Sequence, residues 1–441
     1  MSNREISDFP KVLVVAHNPF SLVHNNGKTL AAFFRNWPQE KIAQIYLTTD
    51  VPDFSICRNF FQIHDIDMMR QIFGGRGVKG RRVMSCDIDD ISDVKRRVKG
   101  SFLIGIIRSN FFPVFQLAKD VLWEMIGFKS KELMKFIDEF EPQVVFFHSY
   151  RDVFSFSLVN WICGRRKVAL MMYVSDDYVS GRLSFDPFFW IQRIRVKQEY
   201  KKAISRSSSV VAGSEKMMNE FKERFGGNYI VAMNAISELN FPPRKFDCGV
   251  VRLLFAGNIG LNRWKVLSLI ARCLEELDVE SGVKGELSIY SLNELTIKQL
   301  TEINIPGYSK FRGSLNTVQL NFEKNNADIL IHVESFDRVN KHITRLSVST
   351  KISEYLASRR CIFAVGPPDV ASIEYLLERD LAVVVTSKSN IQIKAALKNI
   401  MIDAALREKY ADKGLDIARL RHSAEGTTEL IYKNVHDAVM S

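Results

Sequence analysis

The segment VRLLFAGNIGLNR, residues 251–263, is the stretch of this 441-residue sequence that decides the fold. It opens with a largely apolar run of strand length, which is typical of a strand buried on both faces of a parallel sheet. Gly257 ends the run, Gly260 follows three residues later, and a helical pattern continues to about residue 277. A strand, a glycine turn and a helix in this order predict the opening of a Rossmann-like domain.

The same order of elements also begins the chain. KVLVVAH, residues 11–17, predicts a buried strand, a polar turn at residues 25–29 leads into a short helix that Pro38 stops, and a strand follows at residues 44–49. Further apolar runs predict strands at residues 143–149, 168–175, 209–214, 286–291, 327–333, 361–366 and 381–387. Two consecutive Rossmann-like halves in an α/β protein explain this alternation.

Consecutive prolines in FPPRK, residues 241–245, predict the linker between the halves, because they continue neither a helix nor a central strand. We therefore predict an N-terminal domain over residues 1–240 and a C-terminal domain over residues 247–424. A last helix, within residues 425–441, is expected to cross back to the first domain.

Composition limits the class of protein. With 46% hydrophobic and 25% charged residues the chain is expected to fold, and its six cysteines lack the spacing of a zinc site. No run of 18 apolar residues predicts a membrane span, and the first ten residues do not resemble a secretory signal. The net charge of +11 points to nucleic acid, a membrane surface or a polyphosphate ligand.

Ligands bind such sheets at the carboxyl ends of the strands, so the loops there are searched first. The GKT tripeptide at Gly27 is not a P-loop, since Leu22 stands where that motif needs a glycine. Gly27 either lets the backbone approach a ligand or is an ordinary turn residue. The loop from Gly257 to Arg263 can bind phosphate through backbone N–H groups and a guanidinium, or can be a plain strand–helix connection.

The densest segment is residues 332–369. Ser349 or Thr350 is predicted to cap a helix whose first turns hold Lys351 and Glu354. A lysine at a helix N-terminus opposes the helix dipole, so either Glu354 or a bound phosphate is expected to compensate it. The carboxylate of Glu354 suits two neighbouring hydroxyls, as on a ribose. A surface ion pair between Lys351 and Glu354 is the alternative.

At this point the sequence resembles a family. NNGKT, VVAGSEKM, FAGNIGLNR and STKISEYLASRRCIFAVGP, spread over most of the chain, resemble GT-B-type glycosyltransferases of the family 4-like group, especially bacterial enzymes that build surface polysaccharides such as lipopolysaccharide or capsule. The resemblance implies two Rossmann-like domains facing each other across a cleft. The first would bind the acceptor and the second a nucleotide-diphosphate sugar, which is the donor substrate, with no cofactor.

The resemblance also implies roles for residues. Glu354 matches the glutamate at the donor ribose, and Arg263 and Lys351 match basic groups that stabilise the leaving diphosphate. The glutamate usually found eight positions earlier is replaced by Leu346, and Glu334 lies twenty residues upstream instead. The expected catalytic residues are Arg263, Lys351 and Asp177. The expected donor-binding residues are Gly27, Gly257, Asn258, Glu334, Arg345, Ser349, Thr350 and Glu354.

No acidic metal-binding loop follows a suitable strand, so a metal-independent transfer is expected. The stereochemistry is open, with a retaining hexosyl transfer expected rather than an inverting one. Asp176 and Asp177 follow a strand of the first half, where a metal site, an acceptor-binding role and a helix cap are all open. An inverting reaction would need a base to activate the acceptor. The candidates for that base are His17, His24, His148 and Asp177.

A helix is predicted from about residue 188 to 204, with Asp186 and Pro187 at its start. Its aromatic start and its later Arg and Lys residues are typical of a membrane-surface helix; core aromatics with solvated lysines are the alternative. The expected partners are a nucleotide sugar and a saccharide or polyprenol-linked acceptor, in the cytoplasm or on the inner face of the membrane. No nucleic-acid-binding motif occurs, so nucleic acid is not an expected partner.

Two rival functions remain open for the whole chain. A sugar-nucleotide epimerase can share the two-domain fold, and it would consume the sugar nucleotide without an acceptor. A catalytically silent partner subunit would fit the incomplete glutamate pair.

Overall fold

The computed structural model describes residues 5–22, 25–64, 79–87, 112–180, 184–236 and 249–440. The predicted linker at residues 241–245 and His24 lie outside the described residues. The chain divides into two compact units, one formed by Met1–Met233 with Ala424–Ser441 and the other by Asn234–Ser423.

The first unit contains an eight-stranded sheet in the order β4-β3-β2-β1-β5-β6-β7-β8. Its strands are β1 (Val12–Ala16), β2 (Ile42–Tyr46), β3 (Asn59–Gln62), β4 (Arg81–Val83), β5 (Val144–His148), β6 (Ala169–Val174), β7 (Ser209–Ala212) and β8 (Tyr229–Val231). All neighbours are parallel except β3 and β4. Val12 of β1 pairs with Ile42 on one side and with Val144 on the other, so β1 lies at the centre.

Helices cover both faces of this sheet. They are α1 (Asn25–Phe33), α2 (Phe112–Ile126), α3 (Lys131–Phe140), α4 (Val153–Arg166), α5 (Pro187–Arg206), α6 (Glu215–Phe225) and the last helix, α15 (Ala424–Met440). Single 3₁₀ turns occur at Ile6–Asp8, Gln39–Lys41 and Ser85–Asp87. Helix α15 packs against α1, β5 and β6, and it buries Ile431 and Val435 completely in the core of the first unit.

The second unit contains a six-stranded parallel sheet in the order β11-β10-β9-β12-β13-β14. Its strands are β9 (Val251–Ala256), β10 (Gly285–Tyr290), β11 (Ser309–Phe311), β12 (Ile329–Val333), β13 (Cys361–Val365) and β14 (Val383–Val385). Its helices are α7 (Arg263–Ser281), α8 (Ile297–Ile303), α9 (Thr317–Asn326), α10 (Arg338–Thr344), α11 (Thr350–Ala357), α12 (Ala371–Glu378), α13 (Asn390–Ile402) and α14 (Ala404–Arg421).

Both sheets reverse their strand order once, between β1 and β5 in the first unit and between β9 and β12 in the second. This is the order of a doubly wound Rossmann-like sheet, in which the crevice for a ligand opens outside the carboxyl ends of the strands at the reversal. The two Rossmann-like halves predicted from the sequence are confirmed. The topology thus marks one place in each unit where functional residues are expected.

Most predicted elements agree with the structure. The helix expected from about residue 188 begins at Pro187, and the Asp186 carboxylate caps it by accepting a hydrogen bond from the Phe188 N–H at 2.9 Å. The polar turn expected at residues 25–29 is wrong, because α1 already begins at Asn25. Gly27 permits this early start: a Cβ there would lie 2.2 Å from the Pro19 carbonyl oxygen. The close approach that Gly27 allows is therefore to the chain's own backbone.

Replacing Ile431 by Ala should destabilise the first unit by about 2–5 kcal/mol, because the cavity would open in a core that α15 shares with the sheet. Met440→Ala on the same helix, at a side chain 74% exposed, should change the free energy of unfolding by less than about 0.5 kcal/mol. Urea unfolding of both variants measures the difference, and equal losses would mean that α15 is not part of this core.

Candidate functional site

A buried ion pair lies at the point of strand reversal in the second sheet. Arg263 is the first residue of α7, which follows β9, and Glu334 directly follows β12. The guanidinium donates from Nη2 to both carboxylate oxygens, at 2.8 and 3.1 Å, and from Nε to Oε2 at 3.2 Å. Both side chains are largely buried, with 15% of Arg263 and 2% of Glu334 exposed. The geometry is that of a strong, bidentate pair.

A histidine supports the same carboxylate. His332 Nε2 lies 3.5 Å from Glu334 Oε1, two residues earlier on the adjoining strand. Burial raises the pKa of the Glu334 carboxyl, but the neighbouring His332 ring and the Arg263 guanidinium outweigh it and hold that pKa below its ordinary value. Glu334 is therefore an ionised carboxylate at neutral pH, in a place that water scarcely reaches.

The loop between β9 and α7 is braced in an unusual conformation. The Asn258 side chain accepts a hydrogen bond from the Gly260 N–H at 2.7 Å, and Asn293 accepts one from the Ile259 N–H at 3.0 Å. The next two residues, Leu261 and Asn262, both have positive φ, at 56° and 61°. Positive φ at two successive residues other than glycine is costly, so the loop holds the start of α7 in one defined position.

Gly257 and Lys351 are in direct contact. A Cβ at Gly257 would lie 2.4 Å from Lys351 Cε, so the side chain of Lys351 passes over this glycine. The Tyr355 hydroxyl fixes α11 in this position, since it accepts from the Ala256 N–H at 3.1 Å and lies 3.3 Å from the Ala256 carbonyl. The basic residue from α11 is thereby held at the carboxyl end of β9.

Glu354 lies on the same helix beside a lysine from α9. Its Oε2 is 3.7 Å from Lys324 Nζ; Lys324 is almost fully buried, whereas about a quarter of the Glu354 side chain is exposed. A buried ammonium beside a half-buried carboxylate keeps that carboxylate in place and leaves part of it open to solvent.

The remaining predicted donor residues lie in the segment before α11. Ser349 is the residue before this helix, but its side chain makes no capping hydrogen bond, so that part of the prediction is wrong. Its backbone N–H donates instead to Ser372 Oγ at 2.9 Å, and the Arg345 carbonyl accepts from the Ala371 N–H at 2.9 Å. The segment is thus fixed to the start of α12. Thr350, exposed, opens α11.

Aromatic and polar side chains meet at the point of strand reversal in the first sheet. The His17 ring stacks on Tyr150 with 4.1 Å between ring centroids, and Tyr178 meets Tyr150 edge-on at 5.0 Å. Arg151 lies over the Tyr150 ring at 5.1 Å. These side chains follow β1, β5 and β6, so the carboxyl edge of this sheet carries a platform of rings.

Two residues considered as bases in this region have structural contacts. Asp177 accepts hydrogen bonds from the Val179 and Ser180 N–H groups, at 3.0 and 2.8 Å, and lies 3.2 Å from Arg224 Nη1. Burial alone would raise the pKa of Asp177, but these partners lower it overall. Burial, with a smaller effect from His17, lowers the pKa of His148 to about 3. His148 is thus neutral and weakly basic, with Nε2 2.9 Å from Ser175 Oγ.

A cavity of about 600 Å³ lies elsewhere in the second unit. Its lining comes from β9, β10, α9 and the end of β11, and it includes Arg252, Tyr290 and Arg312 but none of the predicted donor residues. Within the described ranges of the chain, no group of three or more His, Cys, Asp or Glu side chains could hold a metal ion. The cluster around Arg263 is marked by its charges and by its place at the strand reversal.

Sequence reasoning missed several supporting residues. His332 stands two residues before Glu334, so the alternation of side chains along a strand could have placed both on one face. Lys324 and Tyr355 carry no such signal. Lys324 is 30 residues from Glu354 and Tyr355 is 99 residues from Ala256, and only the packing of α9, α11 and β9 brings these pairs together.

No family model and no curated protein matches the sequence. The fold does match solved structures. A sucrose-phosphate synthase from Thermosynechococcus elongatus has a TM-score of 0.61 at 10% identity, covering 96% of this chain and 98% of that one. HepE from Anabaena, solved with UDP and glucose, has a TM-score of 0.59 at 10% identity, covering 96% of this chain and 98% of that one.

A third match is an α,α-trehalose 6-phosphate synthase from Burkholderia multivorans, with a TM-score of 0.57 at 9% identity over 98% of this chain and 97% of that one. Coverage this complete, at identities this low, shows the fold alone. It confirms the predicted α/β architecture of two Rossmann-like domains, the GT-B type.

Removing one partner of the buried pair should expose the cost of an unpaired charge. Arg263→Met should destabilise the second unit by about 3–5 kcal/mol near pH 7, and Arg263→Met with Glu334→Met should recover much of that loss. The pKa of Glu334 is lowered by folding, so its stabilisation is present above its ordinary pKa of 4.5 and fades as the pH falls through the folded value.

Urea unfolding at pH 7 and at pH 4 measures both effects. The difference in the free energy of unfolding between the wild type and Arg263→Met should be smaller at pH 4 than at pH 7. If the single and double variants lose the same free energy of unfolding at both pH values, Arg263 contributes by packing and not by neutralising the charge of Glu334.

Neutral, buried His148 should make the first unit sensitive to acid. Its folded pKa of about 3 lies below the ordinary 6.5, so stabilisation is complete above pH 6.5 and is lost progressively as the pH falls toward 3. Between pH 6.5 and 5 the loss should be about 2 kcal/mol. The unfolding free energy of His148→Gln should vary less with pH over this range, and a wild-type dependence retained in full would refute the assignment.

Proposed function

We propose that this chain is a glycosyltransferase that moves a sugar from a nucleotide-diphosphate sugar to a saccharide or polyprenol-linked acceptor. The observation that carries the proposal is the bidentate pair of Arg263 and Glu334 at the strand reversal of the second sheet, with Lys351 held over Gly257 beside it. The likeness to proteins titled as sucrose-phosphate synthase, trehalose 6-phosphate synthase and a UDP-bound HepE supports it.

The chemistry needs positive charge where a diphosphate leaves. As the bond between sugar and phosphate breaks, negative charge grows on the diphosphate oxygens, and fixed cations and N–H groups stabilise it. Arg263, the first residue of the 19-residue helix α7, would do this from one side together with the positive end of the helix dipole. Lys351, in the first turn of α11, would do it from the other.

The two glutamates would bind the rest of the donor. Glu354, partly exposed and steadied by Lys324, would accept hydrogen bonds from the two ribose hydroxyls. Glu334 would take the place of the missing glutamate eight positions before Glu354. Because Arg263 holds both oxygens of Glu334, arrival of a diphosphate would draw the guanidinium toward the phosphates and free an oxygen for a sugar hydroxyl.

Metal-independent transfer with retention of configuration is part of the proposal, since the cations can carry the charge that a metal otherwise would. A retaining transfer needs no strong base from the protein. This suits the low basicity of His148 and the several structural contacts of the Asp177 carboxylate. If the transfer inverts the configuration, Asp177 is our candidate for the base that activates the acceptor.

The acceptor would bind in the first unit, where the rings of His17, Tyr150 and Tyr178 offer apolar faces to a sugar. We place the activity in the cytoplasm, in the synthesis of a surface polysaccharide. A phosphorylated sugar is the second candidate acceptor, because one of the matching trehalose-phosphate synthases was solved with glucose-6-phosphate.

A panel of nucleoside diphosphates and their sugar conjugates, measured by thermal shift, tests the donor site. At least one member should raise the melting temperature, because a ligand stabilises only the state that binds it. Glu354→Gln should weaken that binding by about tenfold or more, the value of hydrogen bonds to a charged group, while Arg419→Gln on the surface of α14 should not.

The outcomes separate the alternatives. A donor converted without any acceptor indicates an epimerase, and a donor bound but neither transferred nor converted indicates a silent subunit. No stabilisation by any member of the panel would refute the donor site itself.

A further inference from the structure

Helix α2 presents an apolar stripe to solvent. Val114, Ala118, Val121 and Met125 follow one another at intervals of four, three and four residues, so they lie along one side of the helix. All four are exposed, and Met125 is 78% exposed. A helix packed only against its own domain normally turns such a stripe inward.

Helix α5 presents a second stripe. Phe188, Ile191 and Ile194 are spaced by three residues and are 43%, 46% and 55% exposed. Trp190 is exposed beside them, with its indole N–H donating to the Ser184 carbonyl at 2.7 Å and the Arg193 guanidinium 4.8 Å from its ring. Such a tryptophan has one polar side and one apolar side, as is common where hydrocarbon meets water.

The two helices lie next to each other in the first unit. They pack directly, and side-chain hydrogen bonds join Asp120 to Gln192 and Glu124 to Arg195. The two stripes therefore belong to neighbouring helices. We call them together the α2–α5 surface, formed by Val114, Ala118, Val121, Met125, Phe188, Trp190, Ile191 and Ile194.

Positive charge adjoins this surface. Lys197 and Lys201 follow on the next turns of α5 and are exposed. Two carboxylates of these helices are matched by cations, since Glu124 pairs with Arg195 and Glu199 lies 2.7 Å from Lys202, and the third, Asp120, is buried. Apolar side chains with cations at their border fit the interface of a bilayer that carries anionic headgroups.

We propose that the α2–α5 surface binds this protein to an anionic membrane, with both helices lying on the bilayer. No described helix combines the length and the apolar character needed to cross it. In the described part of the second unit, large exposed apolar side chains form at most pairs on one helix, as Val318 and Phe322 do on α9, whereas Ile391 and Leu420 lie on different helices. The inference does not depend on the proposed reaction, and its test measures binding rather than activity.

Co-sedimentation of the full chain with vesicles tests the proposal. Vesicles containing phosphatidylglycerol should bind the protein at low salt, and vesicles of phosphatidylcholine alone should bind it much less. Ile191→Gln with Ile194→Gln should lower the partition coefficient by about tenfold, through the apolar area no longer buried. Ile391→Gln with Leu420→Gln, a matched pair in the second unit, should leave it unchanged.

Lys197→Gln with Lys201→Gln should reduce the preference for anionic vesicles and weaken its dependence on salt. Binding that is absent from both kinds of vesicle, or lowered equally by the control pair, would overturn the proposal. So would a dimer in solution that Ile191→Gln with Ile194→Gln dissociates, since a second copy of the chain would then cover the surface. Melting temperatures of all variants show that they remain folded.

Discussion

Arg263 begins the helix that follows β9, Glu334 directly follows the adjacent parallel strand β12, and their side chains are buried together. Taking two charges out of water is expensive, and a hydrophobic pair of similar volume is often as stable or more so. Stability alone therefore gives little reason for an ion pair here. Anion binding would give a reason for it, because a guanidinium that is already desolvated and aligned interacts strongly with an anion.

Much of the surrounding structure serves this position. The loop before Arg263 is fixed by Asn258 and Asn293, and Tyr355 joins α11 to the end of β9. These contacts are hydrogen bonds at the ends of the elements that carry the charged residues, and the charged residues themselves come from distant parts of the sequence. The result is a set of charges held by backbone geometry rather than by flexible loops, as pre-organised electrostatic stabilisation requires.

The sequence predicted the fold well because the fold depends on short-range patterns. Each predicted apolar run, six to eight residues long, overlaps a strand of the structure, and Asp186 caps the expected helix. The prediction failed at residues 25–29, where α1 already begins at Asn25 and Gly27 permits a close approach to the Pro19 carbonyl.

The site was predicted only in part for the same reason. Arg263 and Glu334 follow from their places after strands, and Lys351 follows from its place at the start of a helix, but the residues that support them do not. Lys324 meets Glu354 because α9 and α11 are folded against the same sheet, and no spacing along the chain encodes that contact. Side-chain capping by Ser349 was expected from residue type, yet packing against α12 decided its hydrogen bond instead.

The two cations of the candidate site both lie at the starts of helices. Arg263 opens α7 and Lys351 lies in the first turn of α11, so both stand at helix N-termini, where the helix dipole disfavours positive charge by about 0.3–1 kcal/mol each. An anion bound between two such ends interacts favourably with the dipoles and with the cations at once. In the proposed function, a placement that is unfavourable for the chain alone would become affinity for a diphosphate, which would be a physical reason for basic residues at these two positions.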